Sequence, residues 1–180
     1  MNIWNRSTSD HIQLHIPIYR EGIRHEIDKF KISKNTDRNW LKDGYRLFLL
    51  ILDVIKKRLL RIKSILHIDE TWTAVRIKLK GDGTKLGHYF KKYIWCLVNK
   101  AEGITYFCYD NDKNDSRGLR PIENFLSEEG VQEACLFFTL CETCKNFSVN
   151  FKEYVAYAAK ELISGNTDYE LLAPWAIKLV

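Results

Sequence analysis

The hydrophobic period of the chain changes at Ile65, so the fold has to join two kinds of secondary structure. Upstream, apolar residues recur at helical spacing: Ile18, Tyr19, Ile23, Ile27 and Phe30, then Leu47, Leu50, Ile51, Val54, Ile55, Leu59 and Ile62. From Ile65 the pattern becomes strand-like, with β-branched and aromatic residues over 65–68, 73–79, 89–98 and 104–109. Gly81-Asp82-Gly83 and Asn99-Lys100-Ala101-Glu102-Gly103 punctuate these runs as turns. Helical spacing returns over 131–145 and 151–163. This order predicts an α/β (α+β) architecture. It holds three to four mainly antiparallel strands between N- and C-terminal helical segments.

Three regions follow: a helical N-terminal region over 1–63, a strand-rich centre over 64–130 and a helical tail over 131–180. Residues 1–10 are polar and are expected to fray. Ser33-Lys34-Asn35-Thr36 supplies N-cap candidates for a second helix, bent at Gly44 and reaching about Lys63. Pro121 suits the first turn of a short helix running to about Leu126. The stretch from Ile23 to Leu41 has the outline of a helix-turn-helix.

Of the 180 residues, 46% are hydrophobic and 28% charged, enough to bury a core and too apolar for disorder. The net charge of +5 is compatible with a polyanionic partner. Five cysteines at irregular spacing, with no secretory leader, point to free thiols in a reducing, cytoplasmic setting. The longest apolar run, Leu47 to Ile55, contains Asp53 and is followed by Lys56-Lys57-Arg58, so no membrane partner is expected.

The chemistry concentrates on Asp69-Glu70, delivered at the end of the apolar run Ile65-Leu66-His67-Ile68, with a second strand expected from Thr73. Carboxylates held by a sheet suit a magnesium-dependent phosphoryl-transfer site. Successive strand side chains face opposite ways, so one of the two acids, not both, would serve a given metal. The solvated-acid alternative needs no metal at all. Asp110-Asn111-Asp112-Lys113-Asn114-Asp115 begins like a calcium loop, but its sixth position is Asp115 and its twelfth is Pro121. Cys141 and Cys144 have zinc-like spacing but no second Cys or His pair, which favours buried thiols on a helix. The run Lys56, Lys57, Arg58 and Arg61 reads equally as a solvated helix face or a phosphate-contacting one. No Ser-His-Asp or Cys-His signature and no glycine-rich phosphate loop is present.

Taken in order, these segments resemble the insertion sequence 66 family of bacterial transposases. His15-Ile16-Pro17-Ile18-Tyr19-Arg20 is similar to the family's Pro-x-Tyr-Arg signature, and Ile32 through Leu41 to its next helical one. Leu66-His67-Ile68-Asp69-Glu70-Thr71 resembles the strand that bears its first catalytic aspartate. Tyr93-Ile94-Trp95, Tyr106 to Asp110 and Ser116-Arg117 are similar to the strands and loop that follow. The likeness spans about residues 11–126. It implies a ribonuclease H-like sheet, an Asp-Asp-Glu triad, paired Mg2+ (or Mn2+) ions, DNA as partner, and water or 3′-hydroxyl attack on a phosphodiester. Under it, Asp69 is both the first catalytic residue and a metal ligand.

The resemblance also implies pieces that this chain lacks. The family continues into a strand ending in Asp-Gly-Tyr, a Cys/His/Arg-rich segment and a helix carrying the catalytic glutamate. Here Glu128-Glu129-Gly130-Val131 runs straight into Leu136-Phe137-Phe138-Thr139-Leu140. The later part, including Leu171-Leu172-Ala173-Pro174-Trp175, resembles the family's C-terminal tail. The single Asp-Gly-Tyr, at Asp43-Gly44-Tyr45, lies upstream in a helix. The expectation is an internally deleted transposase, joined near residues 127–135 and without strand-cleaving activity. Its open strand edge beside 65–68 is a site for self-association or for binding full-length transposase. The rival expectations are a DNA- or transposase-binding regulatory fragment, and an active nuclease recruiting Asp110, Asp112 or Glu142 as substitute ligands.

Overall fold

The structure, a computed structural model, describes residues 3–14, 18–30, 32–61, 65–77, 88–110 and 129–177. Helices α1 (Ile3–Gln13), α2 (Ile18–Ile27) and α3 (Lys34–Leu59) precede strands β1 (Leu66–Ile77), β2 (His88–Asn99) and β3 (Ile104–Asp110). Helices α4 (Glu129–Asn146) and α5 (Phe151–Ile163) follow. The mixed class and the helix–strand–helix order are those the periodicity predicts. The expected helix at Pro121 and the turn at 81–83 lie outside the described residues.

Local chemistry accounts for the helix limits. Ser33 caps α3: its Oγ accepts the Thr36 N–H at 3.1 Å. The helix then runs without interruption through Gly44, which is buried, and ends at Leu59. Asn150 caps α5 in the same way, accepting the N–H groups of Lys152 and Glu153.

Three sequence expectations are corrected. Residues 3–13 do not fray; they form α1, which buries Ser7, Thr8, Asp10 and Ile12. Arg6 holds Asp28 at 2.7 Å and Ile12 joins the main core, so an apolar residue and a polar pair dock this helix without an apolar period to read. Helix α2 is amphipathic but reversed: Ile23 and Ile27 are exposed while Glu21 and His25 are buried. His25 Nε2 stands 3.4 Å from Asp37 Oδ1 on α3, so the buried side of α2 is its polar one. Finally, the two strands expected at 65–68 and from Thr73 are one strand as far as the described residues reach, Leu66–Ile77. Thr71, Trp72 and Thr73 favour extended backbone, so β1 continues through Asp69 and its antiparallel partner is β2.

The sheet has the order β1–β2–β3, antiparallel throughout. One hydrophobic cluster joins it to the helices, taking Phe48, Ile51 and Ile55 from α3, Leu97 and Tyr106 from the strands, and Leu136, Leu140 and Tyr154 from α4 and α5. Each such side chain contributes about 1.5–3 kcal/mol by leaving water. The Phe48 ring lies 6.4 Å from Phe137 and 6.3 Å from Tyr154. The Tyr154 hydroxyl donates to the Leu172 carbonyl at 3.1 Å and so ties the C-terminal segment to the core.

The two outer edges of the sheet differ. Along β3, α4 lays down a polar stripe: Thr139 Oγ1 accepts the Phe107 N–H at 2.9 Å, and Thr143 donates to the Thr105 carbonyl at 3.2 Å. Asn146 continues it, donating to the Gly103 carbonyl at 3.1 Å. A helix thereby satisfies backbone groups that another strand would otherwise take. No described residue pairs with the outer edge of β1, where Ile65, Ile68 and Trp72 are exposed.

Candidate functional site

Asp69 is the fourth residue of the twelve in β1, not its end. It is exposed, and its Oδ1 accepts the N–H of the next residue, Glu70, at 2.9 Å. In register it opposes Cys96 on β2, which opposes Phe107 on β3; Glu70 belongs to the neighbouring row with Trp95 and Cys108. The two acids therefore fall on opposite faces, as strand alternation requires.

On the Asp69 face, Ile94 and Phe107 pack with Val131 and Cys135 of α4 around Tyr109. The same helix carries Glu142, whose carboxylate binds Lys145. Cys96 is half-buried, and three effects push its thiol above the ordinary range: burial first, then the negative charges of Asp69 and Glu142. The row thus pairs one exposed carboxylate with a thiol held in its protonated form.

Paired magnesium ions need several hard oxygen ligands within a few ångströms. The described residues do not fit that requirement. Asp69 has a soft, protonated sulfur opposite it, and no group of three His, Cys, Asp or Glu among the described residues could hold a metal ion. Of the substitutes considered, Asp110 closes β3 three rows away in register, and Asp112 lies outside the described residues. Cys141 and Cys144 are both buried, and burial is the largest cause raising each thiol. They pack in the core, and no group of three His, Cys, Asp or Glu among the described residues makes them part of a metal site.

The basic run at the end of α3 has structural duties. Arg58 Nε stands 3.0 Å from Glu102 Oε2, and Arg61 reaches the same oxygen at 3.3 Å. The Arg58 guanidinium also lies over two rings, 4.4 Å from the centre of Trp175 and 5.5 Å from that of Phe147. Buried Asn99 sets this arrangement: its Nδ2 donates to the Leu59 carbonyl at 2.9 Å, and its Oδ1 accepts the Glu102 N–H at 3.2 Å. Lys56 is half-buried and Lys57 exposed. Sequence pattern alone does not identify Glu102, Asn99 and Trp175 as partners of the run. The one signal available was the opposite charge of Glu102 inside the predicted turn.

With this geometry in place, the family comparison decides the identity. The family model described as Transposase IS66 family matches residues 6–136, from within α1 into α4. The chain belongs to the IS66 transposase family. The match covers α2, α3 and the whole sheet, and so includes both Asp69 and the basic run of α3. No curated protein and no solved structure matches the chain. Transposases act on DNA, so DNA is the substrate class of the family. No described helix is long and apolar enough to cross a membrane.

Proposed function

We propose that this IS66-family chain binds DNA as an internally deleted transposase that does not cleave it. The observation carrying this reading is that no group of three His, Cys, Asp or Glu among the described residues could hold a metal ion: of the two carboxylates that act on Cys96, Asp69 stands on β1 and Glu142 is paired with Lys145. Among the described residues this gives too little free negative charge for a pair of divalent cations. The antiparallel β1–β2–β3 order with an aspartate in the first strand supports a partial ribonuclease H-like core over 64–130. In this reading, 1–63 is its helical N-terminal region and 131–180 its tail. Asp69 is the first aspartate of a triad whose other members are lost, and Mg2+ or Mn2+ binding is lost with them. A cytoplasmic protein of this kind would act as a regulatory fragment, occupying DNA or pairing with intact transposase.

Incubation of the purified protein with supercoiled DNA and Mg2+ or Mn2+ tests the catalytic part. No nicking above that of Asp69→Ala is expected. Metal-dependent turnover that Asp69→Ala abolishes would overturn it.

A further inference from the structure

The exposed side of α3 changes character along its length. Residues four apart stack one turn above another, so Lys34 and Arg38 form one row and Asn35 and Asn39 the row beside it. Arg46 extends the same side two turns further on. All five are exposed, and the opposite side of the helix is the buried one, carrying Asp37, Gly44 and Phe48. From Lys34 to Arg46 this surface is about 18 Å long at the rise of an α-helix. Its one exposed acid is Asp43, which lies 3.5 Å from Arg46. Beyond Arg46 the side becomes apolar at Leu49 and Leu50 and then acidic at Asp53. Basic side chains therefore interleave with exposed amides only in the first half of the helix, while Lys57, one turn beyond Asp53 on the same side, is exposed as well.

We infer that the first half of α3, through Lys34, Asn35, Arg38, Asn39 and Arg46, is the surface that receives duplex DNA. This rests on the proposed DNA binding and names the surface responsible. Cations alone would suit any polyanion, but amides interleaved with them add donor–acceptor pairs that fit base edges in a major groove wide enough for one helix. In the competing basic run further along α3, Arg58 and Arg61 share the Glu102 carboxylate and Arg58 stacks on Trp175, while Lys57 is exposed and is the cation the control below removes. On its buried side α3 is held by α2 through His25 and Asp37, so the exposed side is presented on a fixed frame.

The test is fluorescence anisotropy of the full chain with a labelled random-sequence duplex across a salt series. The comparison is with the triple variant Lys34→Gln, Arg38→Gln, Arg46→Gln and the control Lys57→Gln, Arg61→Gln. These side chains are exposed, and unchanged circular dichroism will show that the variants fold. The triple variant is expected to bind roughly tenfold or more weakly, with the log–log salt slope reduced by about 2 to 3. The control should change both much less. Equal affinity and slope in wild type and triple variant would overturn the assignment of this surface, as would a control that loses as much. Polyglutamate competing as well as DNA would also overturn it, because the site would then recognise charge alone. Absence of any duplex binding by the wild type would overturn the DNA-binding reading itself, an outcome distinct from failure of this surface.

Discussion

Asp69 on β1 and Cys96 on β2 are direct cross-strand partners, and burial first, then the aspartate's charge, raise the thiol that faces it. Side chains so placed have Cβ atoms about 4.5–5.5 Å apart, close enough for one charge to contribute to the ionisation of the other group. The residue most suggestive of catalysis therefore has its clearest described effect on a cysteine.

This pairing is open to measurement by thiol alkylation. Cys108, Cys135, Cys141 and Cys144 are buried, and burial pushes the Cys135 thiol up to about 12. In the folded protein iodoacetamide should therefore modify Cys96 first, at a rate still climbing above pH 9 because its thiolate forms late. Replacing Asp69 by Asn removes one of the charges that raise the thiol. The Cys96 thiol then ionises at lower pH, and labelling at pH 8 should quicken a few-fold. An unchanged rate would mean that the two side chains do not interact.

Arg58 is expected to matter for stability and not for DNA. Its side chain is 23% exposed, pairs with Glu102 and lies over Trp175. Arg58→Ala should cost about 1–3 kcal/mol in urea unfolding, through lost stacking and lost packing of its stem. Arg58→Lys should recover only part of this, because an ammonium lacks the planar face that meets the indole. Full recovery by lysine would show that the ion pair alone sustains the contact.

Gly103 closes the β2–β3 turn with φ +67°, and a Cβ there would come within 2.9 Å of Phe147 Cζ. Two penalties meet at this position: a left-handed backbone and a ring in the way. Gly103→Ala should destabilise by about 1–3 kcal/mol. In a Phe147→Ala background the same substitution should cost less, with only the backbone part remaining. Additive losses in the double-mutant cycle would rule out the steric contact.

Much of the fold was legible because periodicity is a local property. The strands at 89–98 and 104–109, the helix at 151–163 and the Ser33 cap follow from residues within a few positions of one another. What local pattern could not supply was the partner of each surface. The apolar spacing of α2 predicts a helix, but which side is buried depends on Asp37 receiving His25. The polar first segment lacks any apolar stripe, so its packing as α1, with Arg6 on Asp28 and Ile12 in the core, emerges only in three dimensions. The threonines of α4 look like unremarkable helix residues until β3 lies beside them.

By itself the sequence determined the α+β class, the order of the elements and the IS66 resemblance, including Asp69 as the residue to examine. These depend on periodicity and on motifs read along one chain. The tertiary structure alone decided that Asp69 lies within a strand opposite a thiol. It decided too that Arg58 and Arg61 serve Glu102, and that the first half of α3 keeps its basic and amide side chains in solvent. The physical reason is that charge, burial and hydrogen bonding act through space. A carboxylate's neighbours are set by strand register, and an arginine's role by the turn that folds back against it.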